Sequence, residues 1–109
     1  MPSALGEKIR SLRQSKGMTL DQLGQAAGSS KSYVWELENR DPPRPSAEKL
    51  HKIAEALDVT VEYLLDEQAE GAPSEDVFDK AFYRRYRKLD EGTKARVREI
   101  VEVWSKKTL

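Results

Sequence analysis

The chain has 109 residues, 38% hydrophobic and 35% charged, a size and balance suited to one small globular domain with an appendage. Its formal net charge is zero, which at the level of the whole chain weighs against a nucleic-acid binder. The absence of cysteine excludes a disulfide framework and any thiolate metal site, and the single histidine, His51, cannot assemble a zinc site alone, so neither metal nor cofactor is expected.

No apolar run approaches the roughly 18 residues a membrane-spanning helix needs, and no apolar signal segment opens the sequence. A cytoplasmic protein without membrane contact is the expectation. The neutral total hides an asymmetry: residues 1 to 31 hold five Lys or Arg against two acids, whereas residues 66 to 79 hold six acids.

In chain order, residues 4 to 16 form an amphipathic helix with Leu5, Ile9 and Leu12 on its inner face and Lys8, Arg10 and Arg13 around it, ended by Gly17. Residues 20 to 39, LDQLGQAAGSSKSYVWELEN, then read as two short helices joined by a tight turn at Gly28. Leu20, Leu23 and Ala27 give the first a face to bury, and Val34 and Leu37 do the same for the second. Gly24 stands where the two helices cross most closely, and Gly28 can take the positive φ that reverses the chain. Thr19 is placed to cap the first helix, and Ser29 or Ser30 the second. The combination is that of a helix-turn-helix, whose second helix is shaped to enter the major groove of DNA. A plain two-helix hairpin shares the caps and the periodicity, and the flanking sequence separates the two readings.

RDPPRP, residues 40 to 45, is an irregular loop, because three prolines in six residues exclude helix. Ser46 caps a helix with the stripe Leu50, Ile53, Ala54 and Leu57. Asp58 to Thr60 break it, and Val61 to Leu65 supply one more apolar turn. Residues 66 to 75 have the polar, Gly- and Pro-containing composition of a linker. Beyond it, Val77 to Leu89 places Phe78, Phe82, Tyr86 and Leu89 at spacings of four, four and three, and Asp90 can cap a last helix bearing Val97, Ile100, Val101 and Trp104. The expected architecture is all-α: a five-helix domain over residues 1–65, a linker over 66–75 and a two-helix hairpin over 76–109. A lone hairpin buries too little surface to be stable, so its apolar face needs either the first domain or a second copy. The basic run Arg84, Arg85, Arg87 and Lys88 can be solvated, touch DNA or pair with nearby acids such as Asp79, Asp90 and Glu91.

GEKIRSLRQSKGMTLDQLGQAAGSSKSYVWELEN and PSAEKLHKIAEALDVTVEYLL resemble the five-helix, lambda-repressor-like DNA-binding domain of Cro/C1-type (XRE family) regulators, and the likeness spans residues 4 to 65. It implies a structural pair between Arg13 and Glu38 that ties the first helix to the recognition helix. It also places Ser30, Lys31, Ser32 and Glu36 on the base-reading face, bordered by Tyr33, Trp35 and Asn39. Lys31 can donate to guanine, and Glu36 can accept from cytosine N4 or instead pair with Arg40. Trp35 can lie against a thymine methyl or a sugar, or pack on Pro42 and Pro43. Phosphate contacts are expected from Thr19, Gln22, Tyr33, Asn39, Arg40 and Arg44. The family loop is often rich in lysine, and here it is thinly basic, which implies weak binding by a monomer.

The function so implied is a repressor of transcription that binds a palindromic operator in double-stranded DNA as a homodimer. Phe78, Phe82, Tyr86, Val97, Ile100 and Trp104 are the candidate dimer interface, with packing on the first domain as the other reading. The alternative function is an antitoxin-like interaction module whose hairpin binds a partner protein. Catalysis is not expected, because there is no cysteine, no carboxylate cluster around His51 and no Gly-rich phosphate loop; His51 is read as a partly exposed helix residue.

Overall fold

Every helix among the described residues begins at a short polar side chain that takes up an amide the helix itself leaves without a partner. In the computed structural model, which describes residues 3–40, 44–69 and 72–108, Ser3, Thr19, Ser30, Ser46, Thr60 and Ser74 cap α1 (Ala4–Ser15), α2 (Leu20–Ala26), α3 (Lys31–Asn39), α4 (Ala47–Ala56), α5 (Val61–Leu65) and α6 (Glu75–Arg87). The Asp90 carboxylate accepts from the Thr93 amide at 2.6 Å and does the same for α7 (Glu91–Thr108). All regular structure among the described residues is helical.

Ile9 and Leu12 of α1, Leu23 and Ala27 of the second helical segment, Val34 and Leu37 of α3, Ile53, Ala54 and Leu57 around α4, and Val59, Tyr63 and Leu64 form one buried cluster. The inward-facing residues of α1 to α5 thus share one core, against which Leu5, Leu20, Ala69 and Val77 also pack, while Leu50 is buried outside that cluster. Gly28 turns the chain at φ 66°. A Cβ on Gly24 would stand 2.8 Å from the backbone carbon of Ser30, so α2 and the start of α3 touch backbone to backbone there.

The later elements depart from expectation in two ways. The helix expected from Val77 starts at Glu75 and ends at Arg87, because Ser74 supplies the cap. The basic run pairs with none of Asp79, Asp90 or Glu91. Instead Arg84 Nη1 donates to the carbonyl of Val59 at 2.9 Å, Arg85 pairs with Asp58, and Lys88 Nζ reaches Glu55 at 2.8 Å. One side of α6 thus packs on the first domain: Ala81 is 5% exposed and Val77 lies against the core cluster. The radius of gyration is 16.0 Å, against about 13 Å for a compact chain of this length, because α7 extends away from the domain.

Candidate nucleic-acid interface

The outer face of α3 follows from its periodicity. At 3.6 residues per turn, Lys31, Ser32, Trp35 and Glu36 fall within an arc of roughly 140°, and all four are exposed, while Val34, Leu37 and Glu38 turn inward. The expected base-reading residues are therefore brought together on one surface. Ser30 borders them at the N-terminus of the helix, where its hydroxyl accepts from the Tyr33 amide at 3.1 Å. That bond uses only a lone pair, so the hydroxyl of this exposed residue keeps its hydrogen to donate.

Beneath this face the helix is pinned. Glu38 is 2% exposed and receives Arg13 Nε at 2.6 Å and Nη2 at 2.9 Å, the two-pronged pair that the family resemblance implies. A third Arg13 nitrogen, Nη1, donates to the Met18 carbonyl at 2.8 Å, so α1, the turn before α2 and α3 share one guanidinium. The hydrogen bond that Arg13 donates to Glu38 raises the Arg13 pKa above its ordinary value, against the opposing effect of burial.

Of the two readings left open for Glu36, the ion pair with Arg40 is not formed. The Arg40 guanidinium lies over the Trp35 ring at 5.4 Å from its centroid, and among the described residues Glu36 has no cationic partner. Stacking of a planar cation on the indole face outcompetes a solvent-exposed charge pair worth well under about 1 kcal/mol. Trp35 is 43% exposed. Its expected packing on Pro42 and Pro43 falls outside the described residues.

Of the residues expected to meet phosphate, Thr19 and Gln22 are locked together at the start of α2. Thr19 Oγ1 accepts from the Gln22 amide at 3.0 Å, and Gln22 Oε1 accepts from the Thr19 amide at 2.8 Å. This reciprocal capping leaves the Gln22 side-chain amino group as an outward donor. Asn39 folds its Nδ2 back on the Trp35 carbonyl at 3.0 Å, whereas Arg40 and Arg44 are exposed. Tyr33 is half-buried, and burial pushes its phenol pKa up.

Lys49 was not singled out by the sequence. Its ammonium sits 5.3 Å from the centre of the Tyr33 ring and 3.4 Å from the Gly28 carbonyl oxygen, and Lys52 Nζ lies beside the same glycine. These two lysines of α4 carry positive charge to the turn before the recognition helix, on the flank opposite the thinly basic loop. No local pattern links residue 49 to residue 28. Only the packing of α4 does.

The C-terminal helices divide the expected dimer-interface residues. Phe82, Tyr86 and Val97 line one open apolar groove between α6 and α7, joined by Tyr83, Arg98, Val101 and Glu102. Phe78 lines a separate cleft against α1, and Ile100 and Trp104 are exposed outside the groove. Tyr83 is the aromatic residue that the fixed spacing of the stripe passed over. Tyr86 holds the two helices together, its hydroxyl 2.6 Å from Arg98 Nη1 and its ring under Lys94 Nζ at 5.7 Å. Among the described residues no cluster of His, Cys, Asp and Glu could hold a metal ion, His51 is exposed, and no helix is long and apolar enough to cross a membrane.

Comparison with known proteins agrees with this geometry. The helix-turn-helix domain family matches residues 4–78. The HTH-type transcriptional regulator SinR of Bacillus subtilis is 39% identical over 66 residues, which cover 61% of this chain and 60% of SinR. SinR of Bacillus licheniformis is 38% identical over the same shares. The matched segment spans less than two thirds of these relatives. Among solved structures, SinR, described as a master regulator for biofilm formation, in complex with DNA superposes at a TM-score of 0.54 with 39% identity, covering 57% of this chain and 98% of that one. The SinR/SinI protein complex superposes at 0.57 with 32% identity, covering 95% of this chain and 97% of that one.

Proposed function

Because the chain belongs to the helix-turn-helix domain family, in its Cro/C1-type branch, we propose that it is a regulator of transcription that inserts α3 into the major groove of double-stranded DNA. The observation that carries this reading is the exposed face of Lys31, Ser32, Trp35 and Glu36 on a helix held from below by the buried Arg13–Glu38 pair. A groove-reading helix needs that arrangement: free polar edges outward and no freedom to rotate. Thr19, Gln22, Tyr33, Asn39, Arg40, Arg44 and the α4 lysines form the phosphate-facing border.

In the same proposal the protein is a repressor that binds a palindromic operator as a homodimer. The groove of Phe82, Tyr86 and Val97 and the adjoining Ile100 and Trp104 make the second contact. Phe82 is 58% exposed and Tyr83 59%, side by side on a groove of the kind that marks a contact site. A partner protein on these helices is a second reading, favoured by the likeness over 95% of the chain to SinR as it occurs with SinI.

Selection of bound fragments from random duplex DNA tests the function. The expected result is a palindromic consensus with half-sites about one helical turn apart. Absence of any enriched sequence would overturn the DNA-reading assignment and leave the protein-interaction module.

A further inference from the structure

Helix α6 carries two different stripes. Val77, Ala81, Arg84 and Lys88, spaced four, three and four, lie on one face and meet the first domain, while Phe82, Tyr83 and Tyr86 lie on the other and stay exposed or line the groove with α7. The helix is therefore a bridge between the DNA-reading domain and the surface assigned above to dimer contact.

The dock is built on the C-terminal end of α4. There the carbonyls of Ile53, Ala54 and Glu55 take the amides of Leu57, Val59 and Asp58 at 3.0 to 3.2 Å, each keeping a second lone pair at the negative end of the helix dipole, and the Val59 carbonyl lies just beyond the turn. Arg84 supplies donors from outside: Nη1 reaches the Val59 carbonyl at 2.9 Å, and Nη2 lies 3.5 Å from that of Ala54. On either side, Arg85 pairs with Asp58 and Lys88 with Glu55 at 2.8 Å. Asp58 also receives Lys16, so α1, the α4–α5 corner and α6 meet at one carboxylate. These partners lie 25 to 33 residues from the α6 residues they hold.

We propose that Arg84 is a positioning residue for operator binding: by fixing α6 on the end of α4 it sets the separation and orientation of the two recognition helices in the dimer. The inference rests on the homodimer reading. Its physical content is the contrast with a free tether, whose two DNA-reading domains sample a broad range of separations and gain only effective concentration. With α6 docked, each domain and its share of the dimer contact move as one body.

The absence of cysteine makes a direct test available. A single Gln25→Cys substitution on the exposed surface of α2 carries one spin label per chain, and the label-to-label distance in the full-length dimer reports the separation of the two DNA-reading domains. With Arg84 present the expected distribution is narrow. Arg84→Ala should widen it at least about twofold, toward the spread of a flexible linker, with the sedimenting mass and the melting curve of the domain unchanged. Arg84→Lys keeps the charge but loses the fork across two carbonyls, and should fall between the two.

A functional arm uses the palindromic duplex recovered by selection, remade with the half-sites moved by two base pairs either way. The original chain should lose about tenfold or more in affinity for the moved sites, and Arg84→Ala should reduce that discrimination to about threefold or less. An equally narrow distribution in Arg84→Ala, or equal spacing preference in both chains, overturns the positioning role while leaving the dimer intact. A sedimentation mass of one chain, with no intermolecular dipolar signal, overturns the homodimer reading itself and the positioning role with it.

Discussion

Arg13 and Glu38 bind each other through two hydrogen bonds at 2.6 and 2.9 Å across the interface of α1 and α3, with the carboxylate side chain 1% exposed. Removing the arginine leaves a buried carboxylate without its cation. Arg13→Ala is therefore expected to cost about 3–5 kcal/mol, read from the denaturant midpoint of unfolding. Exchanging both residues for apolar ones of similar size should cost much less. Equal losses from the two replacements would mean that the pair matters for its volume and not for its charge.

Glycine positions give predictions of opposite sign. A Cβ on Gly6 would stand 2.2 Å from the Leu37 carbonyl oxygen, which is backbone and cannot rotate away. Gly6→Ala must push α1 off α3 and is expected to destabilise by about 1–3 kcal/mol. Gly92 in α7 meets only the Asp90 carboxylate at 3.6 Å, so Gly92→Ala should stabilise by about 0.4–1 kcal/mol through the unfolded chain. Thermal unfolding followed at 222 nm separates the two.

On α3 the predictions concern pattern more than strength. If Lys31 and Glu36 meet base edges, replacing each with Ala should relax preference at particular operator positions by about 1–3 kcal/mol. Loss of affinity spread evenly over all sequences would instead make them phosphate-facing. Lys49→Ala is expected to give that even loss, together with a smaller dependence of affinity on salt.

Glu55 provides a test in pH. The hydrogen bond from Lys88 holds its carboxyl below the ordinary value, against the opposing effect of burial, with the charges of Lys88, Arg84 and His51 acting in the same direction as the bond. A depressed folded-state pKa contributes stability that is present above the unfolded value, about 4.3, and is lost as pH falls through the folded one. The α6 dock should loosen in that acidic window. Lys88→Ala should raise the Glu55 titration midpoint, measured by NMR at the side-chain carboxyl, back toward the ordinary range.

A fragment ending at Leu65 retains nearly all of the buried cluster and should fold. It is expected to sediment as a monomer and to bind the selected duplex about 10²-fold more weakly than the full chain. An unchanged dimer would move the interface into the first domain.

What could be read without coordinates was what depends on near neighbours. Thr19, Ser46 and Asp90 were identifiable as caps because a cap reaches only three residues along the chain, and the outer face of α3 followed from one helical period. Arg84 was not legible in the same way. Its acceptors lie at positions 54 and 59, and an arginine among other basic residues offers no sign of them. Lys49 beside Tyr33 and Tyr83 in the α6–α7 groove were hidden for the same reason, since tertiary packing alone brings them to their places. Glu36 shows the limit within a single helix: spacing offered Arg40 as one of its two partners, and the indole next to it won the cation.

Asp58 has φ 58°, a backbone conformation that glycine adopts without cost and an aspartate holds against about 1 kcal/mol. Glycine there would relax the corner while releasing both Lys16 and Arg85, so the gain and the loss in folding energy would largely cancel. Drift toward Asp58→Gly would then pass unnoticed in any survey of thermal stability or solubility. If Arg84 sets operator spacing as proposed, its effect would emerge there: with Arg85 released and the Arg84 fork still seated on Val59 and Ala54, the preference for a correctly spaced operator would be blunted without being lost.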